Sequence, residues 1–536
     1  MQTDVAIIGG GLIGSMASVM LGKRGVKSTV LESREMGKEQ KIVVGEAITE
    51  GSSVFLRHEI GMGDWLKKNA FRKYGFDFLT LPRDGRPVRT MDDCHELLLS
   101  LTPLERLPKA HDRLIPTYHV ERTGMNAEAS RLAKLHGADY LYGASVDRVD
   151  FARGPVGDAS LPSATVHYTD GGEAKTLKAR WVLDCSGRRS VLGNQLGITH
   201  TMPELPSAAV WNRFENVRSD RAFWSSFHGI DRRRHTIHMT GHGFWIWWIH
   251  QNDNLTSVGV SFDRRLHDPN VKTDDRGFWE MMAKFPPILE ALKGARPLEP
   301  YQYYAHLPYQ SDRWVSGDGY GIIGDAGWFT DALYSIGIET ACRQLVAIVP
   351  MVKKAVRGEA PNEERIADLN SQFEYCQKTV LSMNKFKYEH GWHRPHVVMQ
   401  TALYELGEIA PLYHMLDESD WRDEVLMKHY RLQWSCPKRM GKLERFQQDS
   451  LLQGDLDLVP GAPLLKKALL PGPYVYGATW PVWNTSRKLV PHFFKLTRAW
   501  GFAERLAQKS RWPDVLKMMA NNKRWMRPVY RLGDGA

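Results

Sequence analysis

The stretch VAIIGGGLIG at residues 5–14 decides the fold of the first part of this chain. A short apolar strand leads into Gly9-x-Gly11-x-x-Gly14, and a predicted helix and a second apolar strand follow, ending at Glu32. In such a βαβ unit the first glycine makes a tight turn, the second lets the backbone approach a pyrophosphate, and the third lets the helix pack on the strand. Glu32 stands where a carboxylate binds the ribose hydroxyls. The sequence therefore predicts a dinucleotide-binding domain, and this unit alone leaves FAD and NAD both open.

Two later strand ends distinguish between the two cofactors. Residues 181–190, WVLDCSGRRS, predict a strand running into a turn with Asp184 and Gly187, and residues 321–326, GIIGDA, predict a strand ending at Gly324 and Asp325. FAD needs a second set of contacts because its ribityl chain and isoalloxazine extend well past the first turn. An aspartate at a strand end can meet the ribityl hydroxyls there, so we expect FAD.

The three motifs, in this order, resemble those of the flavoprotein monooxygenases of the para-hydroxybenzoate hydroxylase type. The segment YHVER at residues 118–122 is similar to their segment in which an arginine contacts the cofactor, which implies that role for Arg122. The resemblance implies an α/β fold, in which a Rossmann-like FAD-binding GxGxxG domain is interwoven with a substrate β-sheet.

One branch of that superfamily, the flavin-dependent halogenases, is matched in finer detail by four segments: VGEA at 44–47, AFRKYGFDF at 70–78, WIWWIH at 245–250 and DALYSIG at 331–337. The first resembles the branch's flavin-contacting strap and implies cofactor contacts for Gly45 and Glu46. The second resembles the stretch that holds the branch's essential lysine, here Lys73. The last implies that the backbone of Ile336 and Gly337 binds the halide, since clustered N–H groups form an anion-binding concavity.

The resemblance also implies a mechanism. In the family, reduced FAD and oxygen give a hydroperoxide, halide attacks it, and the resulting hypohalous acid travels to a lysine beside the substrate. Lys73 would hydrogen-bond that acid or become a haloamine, and burial would lower its pKa toward a reactive range. The resemblance implies that the protein uses chloride or bromide, and FADH2 provided by a separate flavin reductase. Because basic residues recur from residue 67 to 73, the alternative to a catalytic role is that this lysine lies at an exposed helix end.

Two departures from the family pattern affect the predicted substrate pocket. Trp245 and Trp247 share one strand face and are expected there, although large aromatics on a strand face are also ordinary core residues. His250 replaces the family's proline, and Tyr334 replaces the glutamate of the tryptophan halogenases. We therefore expect an electron-rich phenol-like or pyrrole-like substrate of secondary metabolism. A hydroxylase or epoxidase on the same scaffold, with His250 as a general base, remains an alternative.

The rest of the chain sets the domain organisation. We expect an FAD-binding and substrate-sheet module at 1–360 and a mostly helical region at 361–536, because apolar residues recur there at three- and four-residue spacing. Residues 481–536 carry 12 Lys and Arg against 3 Asp and Glu, nearly all of the chain's net charge of +10, with interleaved aromatics. Such a tail can pack on the core with a solvated cationic face, or dock on a membrane or an acidic carrier protein bearing the substrate. A non-catalytic flavoprotein partner of a biosynthetic complex, acting through this tail, is the third functional alternative.

The cysteine pattern predicts the redox state of the cellular compartment. All five are scattered, no CxxC pair occurs, and the first strand begins almost at once, so we expect a reduced, cytoplasmic protein. No apolar run reaches the roughly 20 residues that cross a bilayer. We expect no transmembrane segment, no nucleic-acid partner and no metal cofactor.

Overall fold

The computed structural model describes residues 1–38, 44–82, 85–100, 117–153, 162–226, 230–267, 275–392 and 475–478. Its α-helices are α1 Leu12–Lys23, α2 Glu50–Phe55, α3 Gly63–Asn69, α4 Arg122–Leu135, α5 Val191–Gln195, α6 Arg221–Trp224, α7 Asp275–Met282, α8 Pro286–Ala291, α9 Ile336–Val356 and α10 Glu363–Phe386. Two π-helical turns, Leu56–Ile60 and Lys387–Gly391, extend α2 and α10. Short 3-10 turns lie at Met91–Asp93, Gly187–Arg189, Arg232–Arg234, Gly324–Ala326 and Leu333–Ser335.

The predicted dinucleotide-binding unit lies in a six-stranded sheet. Its strands, in spatial order, are β20 Val315–Ser316, β21 Tyr320–Ile322, β11 Trp181–Asp184, β1 Val5–Ile8, β2 Ser28–Glu32 and β7 Asp139–Tyr142. β1 pairs in parallel with both β2 and β11, as a βαβ crossover requires. Helices α1, α4 and α9 cover one face, which buries Ile7 and Leu183.

The other face of this sheet packs on a three-stranded antiparallel sheet of β8 Ser145–Arg153, β9 Pro162–Asp170 and β10 Glu173–Ala179. Because successive side chains of a strand point to opposite faces, Ala6 and Ile8 join this second core. Burial on both faces explains why β1 is apolar throughout rather than alternating.

A nine-stranded sheet forms the second module. In spatial order it contains β17 Arg296–Pro297, β13 Ser207–Glu215, β16 Leu255–Asp263, β15 Phe244–His250, β14 His235–Gly241, β4 Gly75–Thr80, β5 His95–Ser100 and β23 Val475–Ala478, and β18 Gln302–Tyr304 also pairs with β13. Helices α7 and α8 cover one face, and the aromatic segment of β15 lies centrally. This sheet is the interwoven substrate sheet that the resemblance implied, since its strands come from separate parts of the chain.

Two small ladders join the modules. β12 Thr199–Thr201, β19 Tyr309–Ser311 and β22 Trp328–Phe329 form one, and β3 Phe71–Lys73 with β6 Thr117–His119 forms the other. α10 contributes Ile366 and Val380 to the core of the dinucleotide-binding module. The α/β fold class is confirmed. The predicted boundary at residue 360 stays a prediction, and the tail 481–536 lies outside the described residues. No helix in the described part of the chain has the length and apolarity to span a membrane.

Candidate active site

The glycine-rich turn has the geometry that its spacing predicted. Gly9 has φ +97°, and a Cβ there would lie 2.7 Å from the Cys185 carbonyl oxygen. A Cβ on Gly14 would lie 2.0 Å from the Gly9 carbonyl oxygen, so only glycine lets α1 pack this close. A Cβ on Gly11, at the start of α1, would meet no protein atom within 4 Å. That open space beside a helix N-terminus fits a pyrophosphate.

Glu32 closes the turn from the end of β2. Its Oε2 accepts a hydrogen bond of 2.8 Å from the Gly10 N–H, and Arg34 Nε donates to its Oε1 at 3.0 Å. Burial acts to raise the pKa of Glu32, but the Arg34 contacts and the Gly10 N–H outweigh it, and the net pKa is lowered. The carboxylate is thus held ionised, as an acceptor for ribose hydroxyls must be.

The strap segment, residues 44–47, contacts the first residue of α4. Gly45 has φ +96°, and a Cβ there would lie 2.6 Å from Arg122 Nη1. That atom donates to the carbonyl oxygens of Val44 at 2.7 Å and Gly45 at 3.2 Å. Arg122 is buried, and its Nε has no hydrogen-bond partner among the described residues. An orphaned buried donor beside the strap fits a cofactor acceptor.

Glu46 is held by an arginine that the motifs did not reveal. Arg213, on β13, donates from Nε to Glu46 Oε1 at 2.8 Å and from Nη1 to Glu121 Oε1 at 3.1 Å. Glu121 caps α4 by accepting from the Thr123 and Gly124 N–H groups. Arg213 therefore ties the strap to the helix that begins with Arg122. The available signal was a charged residue inside a buried strand, which requires a partner.

The second motif forms a tight turn after β11. Asp184 accepts from the N–H groups of Ser186 at 2.9 Å and Leu192 at 2.7 Å, and Gly187 takes φ +62° between them. Burial raises the pKa of Asp184. The structure therefore gives Asp184 a turn-holding role, beside any cofactor contact.

The third motif lies at the start of α9. Gly324 has φ +63°, and its N–H donates to Gln344 Oε1 at 2.7 Å. Burial raises the pKa of Asp325, against the opposing charges of Arg188 and Arg122. Asp325 and Arg122, 203 positions apart in the sequence, thus lie within electrostatic reach of each other.

The predicted halide site is the N-terminus of the 21-residue helix α9. Ile336 and Gly337 are its first residues, and Ser335 before them has φ +58°. A Cβ on Gly337 would have Asp325 Oδ1, at 3.8 Å, as its nearest protein atom. Within 4 Å, a side chain at Gly337 would thus meet only Asp325, and a helix N-terminus in general favours a small anion through its N–H groups and dipole. The Tyr334 side chain lies outside the described residues.

Lys73 is buried at the end of a short strand rather than exposed at a helix end. It is the last residue of β3 and pairs with Thr117 of β6, whose Oγ1 donates to the Lys73 carbonyl oxygen at 3.1 Å. The side chain is 1% exposed, and Nζ lies 4.1 Å from the centroid of the Phe76 ring. A buried ammonium over an aromatic face is held by cation–π attraction.

Buried histidines surround this lysine, and all are disfavoured as cations. Burial, reinforced by the Lys73 charge, lowers the pKa of His238 to about 3 and that of His119 well below its ordinary value. Burial also lowers the pKa of His235 to about 4. The surroundings of Lys73 thus contain neutral imidazoles at physiological pH.

The two predicted tryptophans lie on the face of β15 opposite α7 and α8. Trp245 Nε1 donates to Tyr388 Oη at 2.9 Å, and Tyr388 Oη donates to Asp331 Oδ2 at 2.7 Å. Trp247 Nε1 donates to Ser257 Oγ at 3.2 Å, and its ring fills the space above Gly259. Both indoles are buried and fixed by their N–H groups.

His250 lies on the other face of β15 from Trp245 and Trp247. Its Nε2 accepts from Trp248 Nε1 at 2.9 Å, so its Nδ1–H donates to Thr256 Oγ1, at 3.0 Å. Burial lowers its pKa to about 3. With both ring nitrogens engaged, His250 has the contacts of a structural residue, and His119 Nδ1 also donates to its carbonyl oxygen at 2.8 Å.

The glycine cradle, the orphaned Arg122 donor and the opposed Asp325 together define a flavin-binding protein. Residues 2–368, more than half of the chain, match the family described as an FAD binding domain, and the chain belongs to that family.

Its relatives among curated proteins are halogenases, as the motifs predicted. The 1H-pyrrole-2-carbonyl-(peptidyl-carrier protein) chlorinase of Pseudomonas fluorescens is 29% identical over 345 residues, which are 63% of this chain and 73% of that protein. The tetracycline 7-halogenase of Kitasatospora aureofaciens is 26% identical over 404 residues, 68% of this chain and 66% of that protein. The crystal structure of halogenase PltM in complex with phloroglucinol and FAD has the same fold, with a TM-score of 0.69 at 19% identity, covering 84% of this chain and 92% of that one.

Proposed function

We propose that this protein is a flavin-dependent halogenase that uses FADH2, oxygen and chloride or bromide to halogenate an electron-rich, phenol-like or pyrrole-like small molecule. The observation that carries the proposal is the burial of Lys73, 1% exposed, on a strand beside the substrate sheet. Burial keeps its amine away from bulk water, as a reaction with hypohalous acid needs, and its position matches the essential lysine of the family. The chlorinase and halogenase relatives support the same activity.

Bound reduced FAD supplies, with oxygen, the oxidising equivalent that turns halide into hypohalous acid. Glu32, Arg122 and Asp325 would hold the cofactor, and the N–H groups of Ile336 and Gly337 would hold the halide. Lys73 then either donates a hydrogen bond from Nζ to the hypohalous acid, which makes its halogen more electrophilic, or takes the halogen on Nζ as the free amine, with the O–halogen bond breaking and water leaving. In both cases the buried surroundings exclude the water that would otherwise disperse the oxidant.

The hydroxylase alternative rested on His250 as a base. The ring nitrogens of His250 accept from Trp248 and contact Thr256, which leaves neither positioned for proton abstraction from a substrate. We therefore favour halogenation. A free substrate and one tethered to a carrier protein both fit the proposal, and the chlorinase relative acts on a carrier-bound pyrrole by its name. We place the activity in the cytoplasm and in secondary metabolism.

The test is mass spectrometry of phenols and pyrroles incubated with the protein, FAD, a flavin reductase, NADH, oxygen and bromide. Free methionine is added to scavenge hypobromous acid that escapes into solution. We expect a monobrominated product from the wild type, and at least a hundredfold loss in Lys73→Met with FAD binding retained. Lys68→Met is the matched control, because Lys68 is an exposed lysine five residues away.

Two results would overturn the proposal. Product that gains oxygen regardless of bromide would identify a hydroxylase. Unchanged bromination by Lys73→Met would remove the lysine from the mechanism.

A further inference from the structure

The turn that follows α10 places a buried tyrosine between two parts of the candidate active site. Tyr388 is 0% exposed and belongs to the π-helical turn Lys387–Gly391. This turn lies beyond residue 368, where the match to the FAD-binding family ends. Tyr388 therefore belongs to a part of the chain that the family match does not cover.

The hydroxyl of Tyr388 joins the substrate sheet to the segment before α9. On the side of the sheet, Trp245 Nε1 donates to Tyr388 Oη at 2.9 Å. On the other side, Tyr388 Oη donates to Asp331 Oδ2 at 2.7 Å. Burial, and then the charge of Asp331, raises the pKa of Tyr388 well above its ordinary value. The hydroxyl thus keeps its proton at physiological pH, and it can accept from Trp245 and donate to Asp331 at the same time.

Asp331 extends this contact to the backbone of the lead-in segment, residues 330–335. Its Oδ1 accepts from the Leu333 N–H at 3.0 Å, and its Oδ2 also accepts from Ser261 Oγ at 3.0 Å. Burial raises the pKa of Asp331, and the hydrogen bond from Tyr388 is the largest of the contacts that act to lower it. The Tyr388 hydroxyl therefore stabilises the buried carboxylate that holds the lead-in segment.

The lead-in segment ends in a backbone conformation that needs support from its surroundings. Ser335 has φ +58°, in the left-handed region that a residue with a Cβ adopts at an energetic cost. Its N–H donates to the carbonyl oxygen of Ala332, the residue after Asp331, at 3.2 Å. Ile336 and Gly337, whose N–H groups are the predicted halide ligands, follow directly. Because α9 begins at the next residue, a shift of the lead-in segment would change the direction of those N–H groups.

We propose that Tyr388 is a positioning residue for halogenation: through Asp331 it fixes the lead-in segment, so that the first N–H groups of α9 face the halide, and it holds Trp245 of the substrate sheet against the same segment. This inference rests on the proposed function for the halide and its reaction. Tyr388 itself contacts neither the halide nor the flavin, so the loss of its hydroxyl should weaken halide binding and leave FAD binding unchanged.

The first test measures halide binding without turnover. The full chain loaded with FAD is titrated with chloride at constant ionic strength, without reductase, and the line width of the chloride NMR signal reports the bound halide. Tyr388→Phe keeps the ring and removes only the hydroxyl. We expect this variant to bind chloride about tenfold more weakly, because a hydrogen bond to a buried charged group is lost from the support of the site. Its affinity for FAD should equal that of the wild type.

Tyr301→Phe is the matched control. Tyr301 also has a tryptophan, Trp279, as the hydrogen-bond partner of its hydroxyl, but it packs in the core on the other face of the substrate sheet. We expect wild-type chloride binding in this variant. Bound FAD and thermal unfolding establish that each variant is folded. Asp331→Asn, with the same expected loss of chloride binding, serves if Tyr388→Phe is not folded.

The second test uses turnover to separate positioning from a structural role. Bromide is varied at saturating substrate, with FAD, a flavin reductase, NADH and oxygen supplied. Tyr388→Phe should raise the KM for bromide about tenfold and leave kcat within about twofold of the wild type, since saturating bromide compensates for a weaker site. A variant damaged in its fold would instead lose kcat.

The outcomes distinguish this inference from the proposed function. Equal chloride binding by the wild type and Tyr388→Phe overturns the inference, as does an equal loss of chloride and FAD binding, or a wild type that binds no chloride. Chloride binding that depends on Tyr388, without any brominated product, would refute the halogenase activity and keep the halide-positioning role. Bromination with the same bromide KM in both proteins would refute the inference and keep the activity.

Discussion

The glycine turn allows cofactor contact to be separated from packing by two single substitutions. Gly11→Ala adds a methyl group that meets no protein atom within 4 Å, at a residue whose φ of −71° any amino acid adopts. We expect the free energy of unfolding of the FAD-free protein to change by less than about 1 kcal/mol. The methyl group instead enters the space of the pyrophosphate. Losing one N–H hydrogen bond to a charged phosphate, worth roughly 1.5–3 kcal/mol, weakens FAD binding by about 10- to 150-fold.

Gly14→Ala should behave in the opposite way. Its Cβ would lie 2.0 Å from the Gly9 carbonyl oxygen, which forces α1 away from β1. Overpacking of this kind costs about 1–3 kcal/mol or more, and it should appear in the FAD-free protein. Gly63→Ala is the control, since the nearest atom to its Cβ is 3.7 Å away and it lies outside the turn.

The assays are urea unfolding of the FAD-free protein and titration of FAD by its fluorescence. Wild-type FAD affinity in Gly11→Ala would refute the assignment of that open space to the cofactor. Unchanged stability of Gly14→Ala would refute the packing argument.

Three further predictions concern buried polar groups. Arg213→Met leaves Glu46 buried without its partner and should cost about 3–5 kcal/mol in urea unfolding, and a loss below about 1 kcal/mol would contradict the strap contact. Burial lowers the pKa of His250 to about 3, so as the pH falls the unfolded chain binds a proton at this histidine before the folded chain does. The contribution of His250 to the free energy of unfolding is therefore complete above pH 6.5, and it falls by up to ~1.4 kcal/mol per pH unit below pH 6.5. His250→Gln should remove this contribution to the slope of the unfolding free energy against pH. Identical slopes in the wild type and the variant would contradict the prediction. Trp245→Phe removes the donor to Tyr388 and should cost about 1–2 kcal/mol in thermal unfolding and raise KM, whereas an unchanged KM would separate Trp245 from the substrate.

The local motifs could be predicted because each is a short segment whose geometry is set by its own residues. Gly9 and Gly14 stand where a side chain would clash, Gly11 leaves open space at the start of α1, and Glu32 follows at the end of the next strand. The family resemblance added Lys73, and the structure has it buried on a strand.

Other features depend on contacts between distant parts of the chain. Arg213 reaches Glu46 across 167 positions, and Tyr388 reaches Trp245 across 143, so no local pattern reveals either pair. The strand Val475–Ala478 pairs in parallel with β5, more than 370 positions earlier in the chain, and no local pattern indicates such a pairing.

The sequence by itself thus determined the dinucleotide-binding unit and the FAD preference, because glycine conformation and strand-end chemistry are local. The strap, lysine and halide segments came from the family resemblance, and their roles stay predictions. Only the tertiary structure decided that His250 has both ring nitrogens engaged, and that Trp245 donates to Tyr388. Burial, charge and hydrogen-bond partners arise when distant segments pack together, and single-residue patterns do not encode them.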